Sequence, residues 1–229
     1  MRIQLIKRSG ARAVYRACDF GKVDAKFIEK IRWPKNLRGM ILIFKKKIEN
    51  EQPVLAAIPG KYWITMCYSA HCRSLKDFSK ALPTGLKSIK LKPLELRKLY
   101  LKTQGQFYLK WRKLLGAGYV KECQQVADNI LGSAKTVCLT KNGKPVALFV
   151  VVRWKDYMDV PVNWVVWVWI NHRLPVVERR QIRGYISGWM KSRLRGRVQC
   201  VINAFNVGSQ IFFKRLGFVP ECLHYVRSK

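Results

Sequence analysis

Acidic side chains are what this sequence lacks. Only 13 Asp and Glu stand against 45 Lys and Arg in 229 residues, a formal charge of +32 with a pI near 10.3. That balance excludes an ordinary acidic cytosolic enzyme. The excess is not a cationic tail, because residues 1–86 hold 18 basic and 6 acidic residues while residues 87–229 hold 27 and 7. Long hydrophobic runs are missing too: the longest, Val160 to Ile170, is too short for a membrane span and is broken by Asn163. The opening Met1-Arg2-Ile3-Gln4-Leu5-Ile6-Lys7-Arg8 has no apolar stretch of signal-peptide length. The first 18 residues carry five basic groups and no acid, as a transit peptide does, but their apolar alternation reads as strand. No internal repeat and no low-complexity linker is visible. The cysteines, at 18, 67, 72, 123, 138, 200 and 222, are odd in number and form no regular framework, which points to a reducing compartment. A cytoplasmic protein with no membrane partner is expected.

With 49% hydrophobic and 12% aromatic residues there is material for a real core, so the charge does not mark disorder. Self-repulsion at this charge opposes a compact state unless a polyanion binds, and nucleic acid is the abundant candidate, ahead of anionic membrane. Both halves presenting positive surface suits a body that lies along such a polymer.

The turn-type cluster Leu82-Pro83-Thr84-Gly85 marks a boundary between residues 1–85, a basic and mainly β region, and residues 86–229. Upstream, Arg2–Arg8, Ala13–Ala17, Gly39–Lys45, Pro53–Ile58 and Tyr62–Tyr68 read as strands and Val23–Arg32 as a helix. Downstream, Ser88–Leu91 is a strand, and Leu94–Leu115 and Gly118–Leu131 are helices. Lys135–Thr140 and Pro145–Trp154 form a hairpin about Asn142-Gly143, a pair suited to the positive φ angles of a type I′ turn. In Val160–Asn171, Asn163, Val165, Trp167 and Trp169 alternate with Trp164, Val166, Val168 and Ile170, so neither face is polar and the strand belongs at the centre of a sheet. Val177–Arg195 is a helix, Val198–Ala204 a strand, Val207–Leu216 a helix and Cys222–Arg227 a last strand. The fold class is α/β with a mixed sheet.

Near the end, Asn206, Ser209, Phe213, Gly217 and Phe218 are spaced as an asparagine, a small residue three later, an aromatic seven later, then Gly-Phe at eleven and twelve. With the element order, this segment resembles the GNAT acyltransferase superfamily over residues 86–229. The resemblance implies a GNAT-like fold with an N-terminal β-rich extension, acetyl-CoA or another acyl-CoA as cofactor, and contacts to it from Asn206 and Phe213. It also implies a loop in which Gln or Arg, then Gly at three and Gly or Ala at five, sets backbone N–H groups on a pyrophosphate at a helix start. Gln181, Arg183 and Gly184, in Gln181-Ile182-Arg183-Gly184-Tyr185-Ile186, match the first two of those positions. The alternative alignment, Val177 to Ile182, fits the helix length, loses the glycines and leaves Arg180 beside the anion. Many relatives carry a tyrosine at the Phe213 position that protonates the leaving thiolate. Phenylalanine cannot, and loss of a general acid costs roughly 10²–10⁴-fold.

His172, just after the long strand, is a candidate base. Asp156, Tyr157 and Asp159 cluster between two strands, where the carboxylates either orient an amine or cap a turn. Cys67, His71 and Cys72 are metal-ligand types without a second matching pair, so no metal is assigned. Nucleic-acid contacts are expected from Lys45, Lys46 and Lys47, from Arg179 and Arg180, and from Lys110, Arg112 and Lys113. The last three lie on a helix where Tyr100, Phe107, Tyr108 and Trp111 interleave with cations, a mixture that tracks phosphates and stacks on bases, or else packs as core. Fold resemblance and charge together imply an acyltransferase acting on an amine of a DNA base, an RNA base or an aminoacyl-tRNA. The highly basic phage Mom proteins, which modify adenine in DNA, are an analogy in charge and fold. The alternatives are a non-catalytic nucleic-acid-binding protein and an acyltransferase acting on a protein or small amine.

Overall fold

The computed structural model describes residues 2–9, 12–18, 39–44, 62–76, 81–115, 118–156, 158–203 and 205–227. The expected helix at Val23–Arg32, the strand at Pro53–Ile58, Lys45 to Lys47 and Tyr157 lie outside them. The fold is mixed α/β, and the chain divides into two compact units, one of residues 1–69 with 201–229 and one of residues 70–200. The Leu82–Gly85 cluster is a turn within the second unit, with Gly85 at φ 77° and the Leu86 N–H donating to the Pro83 carbonyl at 3.1 Å.

The first unit is built on strands in the order β1 (Arg2–Ser9), β2 (Arg12–Cys18), β3 (Gly39–Phe44), β10 (Val219–Arg227) and β4 (Tyr62–His71). β2 and β3 are parallel and the other pairs antiparallel. The last strand of the chain therefore sits between two strands of its N-terminal region. It starts earlier than expected, at Val219, and Pro220 pairs in register with Tyr68; the ladder to β4 then shifts so that Glu221 is the extra residue before Cys222 meets Cys67.

In the second unit β5 (Lys87–Ile89), β6 (Lys135–Lys141), β7 (Lys144–Lys155), β8 (Pro161–Ile170) and the start of β9 (Arg197–Asn203) are neighbours in that order. Asn142 at φ 50° and Gly143 at φ 73° form the expected β6–β7 turn. β7 is buried without a break from Val146 to Val152, which requires cover on both faces. α1 (Pro93–Leu115) and α2 (Gly118–Asn129) supply one cover: Tyr100 and Phe107 meet Trp167 edge-on at 6.4 and 5.6 Å between ring centres. α3 (Val176–Arg193) supplies the other, through Trp189 against Phe149 at 5.5 Å. Trp167 pairs with Val150, the neighbour of Phe149, so these contacts fall on opposite faces.

β8 is interior, antiparallel to β7 and parallel to β9, as its apolar faces predicted. The alternation differs from expectation. Val151 pairs with Val165 and Val150 with Trp167, so Val166 is an extra residue and Trp167 falls on the face opposite Val165. Nothing in the sequence marks this bulge, because β8 is apolar on both sides of it.

Candidate active site

The bulge at Val166 coincides with a second event. Registered pairing of β8 with β9 runs from Asn163↔Val198 to Val165↔Cys200, whereas β8 continues to Ile170. Beyond Val165 every β8 side chain is half-buried, in contrast to the buried strand β7 beside it. Bulges re-aim backbone groups and are frequent beside active sites.

The chain leaves this end of β8 through a turn in which the Asn171 side chain accepts from the Arg173 N–H at 3.0 Å and its carbonyl from the Leu174 N–H at 3.2 Å. His172 is exposed on this turn. α3 then starts after Pro175, which has no side chain to cap the first N–H groups. Arg179, one turn in, has a buried Nε with no hydrogen-bond acceptor among the described residues. A buried guanidinium donor without an acceptor is costly. α3 thus begins with backbone N–H groups that no side chain caps and carries Arg179 within its first turns. The neighbouring Glu178 is already engaged, its carboxylate accepting from Lys141 Nζ at 2.7 and 2.9 Å.

Gln181, Arg183 and Gly184 are not a loop. They lie inside α3, where each N–H is committed to the helix, and Gly184 is buried in its packing face. The alternative segment, Val177 to Ile182, lies in the first turns of α3, where Arg179 is half-buried and Arg180 exposed.

The candidate catalytic residues are not brought together. His172 follows the last residue of β8 while Asp156 and Asp159 precede its first, and a ten-residue strand separates them by about 30 Å. Asp156 caps its turn: one oxygen accepts from the N–H groups of Met158 and Val160 at 2.8 and 2.9 Å, the other from Arg197 Nη1 at 2.8 Å. Its side chain is 1% exposed, so both oxygens are spent on structure. Asp159, exposed at φ 63°, completes the turn.

The Asn206–Phe218 segment resolves into capping chemistry in the first unit. Asn206 caps α4 (Val207–Arg215), its side chain accepting from the Ser209 N–H at 3.3 Å. At the other end the Gly217 N–H reaches the Lys214 carbonyl at 3.0 Å and the Phe218 N–H the Phe213 carbonyl at 3.1 Å, with Gly217 at φ 97°. Phe213 and Phe218 then meet edge-on at 5.0 Å, both buried. Phe213 thus closes a helix end, and as phenylalanine it has no proton to give.

Of the aromatics of α1, Tyr100 is buried in the core and Phe107, Tyr108 and Trp111 are half-buried. Phe107 and Tyr108 pack on Tyr119, and the Tyr119 hydroxyl donates to Gln104. Burial pushes the Tyr100 and Tyr119 hydroxyls well above their ordinary range, so neither releases a proton readily. Lys110, Arg112 and Lys113 are exposed on either side of a kink at Trp111, with Lys110 Nζ 5.0 Å above the Trp111 ring. Among the described residues no three His, Cys, Asp or Glu side chains converge, no disulfide forms, and no helix is long and apolar enough to cross a membrane.

No protein-family model and no curated protein matches the chain. Solved structures do. A conserved protein of unknown function from Staphylococcus epidermidis aligns over 83% of this chain and 71% of its own at 13% identity and a TM-score of 0.48. A GNAT-family acetyltransferase from Streptococcus agalactiae aligns over 64% and 98% at 14% and 0.45. A GCN5-related N-acetyltransferase from Anabaena variabilis aligns over 96% and 58% at 8% and 0.42. At such identities no substrate carries over from them.

Proposed function

We propose that this protein is an acyl-CoA-dependent N-acyltransferase whose acceptor amine is carried on a nucleic acid: a DNA base, an RNA base or an aminoacyl-tRNA. The observations that support the cofactor are that α3 starts without a side-chain cap, that it carries Arg179, whose buried Nε has no acceptor among the described residues, and that it follows in the chain the strand bulged at Val166. The first N–H groups of α3 with Arg179 and Arg180 would hold the pyrophosphate of an acyl-CoA, which supplies an activated thioester. Backbone at the bulge would orient the acyl carbonyl; the acceptor amine would form the new C–N bond as the thioester C–S bond breaks, an imidazole nitrogen of His172, on the adjoining turn, would take the amine proton, and the CoA would leave as a thiolate protonated by water. The charge of +32 supports the acceptor class.

Two observations favour a second reading, a non-catalytic nucleic-acid-binding protein: Phe213 offers no acid, and Asp156 is spent on its turn. Acetyl-CoA separates the two. Under the first reading saturating acetyl-CoA raises the melting temperature of the wild type and not of Arg179→Gln, because a ligand that binds only the folded state must stabilise it. Nucleosides digested from the DNA and RNA of expressing cells then gain a new mass that His172→Ala lacks. No thermal shift with the wild type sinks the enzymatic reading.

A further inference from the structure

At the far end of α3 from this site, the second unit has a recess of about 520 Å³ lined by His71, Cys72, Arg73, Lys191, Arg195 and Gly196. A smaller one of about 310 Å³ shares Leu194 and Arg195 with it and adds Lys135, Arg153 and Arg193. Among the described residues neither lining contains an Asp or Glu. The carboxylate of Asp156 is given to Arg197, which lines neither recess. Arg73, Arg153, Arg193 and Arg195 are exposed.

The recesses are also held open by defined structure. Gly196, at φ 77°, turns the chain from α3 into β9 and its carbonyl accepts from the Cys72 N–H at 2.9 Å. The buried Asn163 side chain donates to the carbonyls of Arg195 and Arg197 at 2.7 and 3.1 Å, fixing this turn to β8. Arg195 Nη1 donates to the carbonyls of Ser192 and Leu194, which anchors the guanidinium between the two recesses with part of its five-donor fork still available. Burial pushes the Cys72 thiol up, against the pull of Arg195 and Arg153, so no thiolate competes for these cations.

We infer that this double recess binds the phosphodiester backbone of a nucleic acid, with Arg195 bridging successive phosphates and Arg73, Arg153 and Arg193 flanking it. Two joined cationic recesses suit a chain of phosphates better than one small anion. The inference rests on the nucleic-acid part of the proposed function and places that contact at the opposite end of α3 from the acyl-CoA position.

The test is fluorescence anisotropy with labelled single-stranded RNA, single-stranded DNA and duplex DNA across 50–300 mM salt. It compares the wild type, Arg73→Gln/Arg153→Gln/Arg193→Gln, the charge-keeping Arg73→Lys/Arg153→Lys/Arg193→Lys, and the charge-matched Lys90→Gln/Lys121→Gln/Lys144→Gln. The glutamine recess variant is expected to bind on the order of a hundredfold more weakly near 0.1 M salt, with a log–log salt slope shallower by about 2. The lysine variant and the distant control are expected to stay within a few-fold of wild type. An unchanged acetyl-CoA thermal shift in the recess variant shows that it is folded and that the two sites are separate. Equal losses in the recess variant and the distant control overturn the inference and leave the proposed function standing. A wild type that binds no nucleic acid, or binds phosphatidylserine vesicles in preference, overturns both the inference and the nucleic-acid reading.

Discussion

Gly217 carries the closing segment of the chain through a conformation that L side chains rarely adopt, φ 97°, and the two hydrogen bonds of the α4 terminus depend on it. Gly217→Ala is expected to cost about 1 kcal/mol or more in chemical denaturation, because alanine is strained there. Asn206→Ala at the other end loses a cap worth roughly 1 kcal/mol. The five spaced residues that carried the family resemblance were legible for this reason: caps are local chemistry, written within twelve residues. Asp156 was legible only as a choice between amine and turn. What settled it is Arg197, 41 residues away in sequence. Asp156→Ala takes the acceptor from two backbone N–H donors and the carboxylate from Arg197, and is expected to cost about 3 kcal/mol.

Among the elements, β8 decides the most. Its position beside β7 followed from having no polar face, but the bulge at Val166 depends on which residues oppose it in β7, and an apolar run gives no sign of a one-residue slip. Asn163, the polar break in that run, reaches across to satisfy two carbonyls of the α3–β9 turn. Asn163→Leu, close in size and suited to the strand, is expected to lower stability by roughly 1–3 kcal/mol, since those two carbonyls lose the Asn163 donor that ties the turn to β8. A urea titration that finds the variant as stable as the wild type contradicts the assigned role. α3 illustrates a different failure of sequence reading. The glycine-containing segment at 181–184 matched a loop pattern by spacing, but the helix begins at Val176 and takes those N–H groups for itself.

For the molecule as a whole, +32 implies self-repulsion that salt screens. The melting temperature is expected to rise between about 20 and 500 mM sodium chloride, and to rise further with polyphosphate; a salt-independent melt would show that the cations are already locally neutralised. Alkaline pH acts oppositely. Burial pushes the Cys123 and Cys138 thiols up to about 11, above the ordinary 9.0 of the unfolded chain. Below about pH 9 both states hold these protons and stability is full. From about 9 to 11 only the folded state holds them, so stability falls as pH rises. Cys123→Ala/Cys138→Ala is expected to flatten that fall in urea titrations at pH 8 and pH 10.5.

The sequence by itself determined the charge, the element order from β5 onward, the hairpin at Asn142-Gly143 and the capped helix near the C-terminus, because composition, periodicity and capping act over a few residues. Only the tertiary structure decided where distant segments meet. It set β10 between β3 and β4, gave the Asp156 carboxylate to Arg197, buried the Arg179 Nε, and gathered Arg73, Arg153 and Arg195 around one turn. Those placements follow from strand register and from which face each helix covers, and neither is encoded within any short window of the chain.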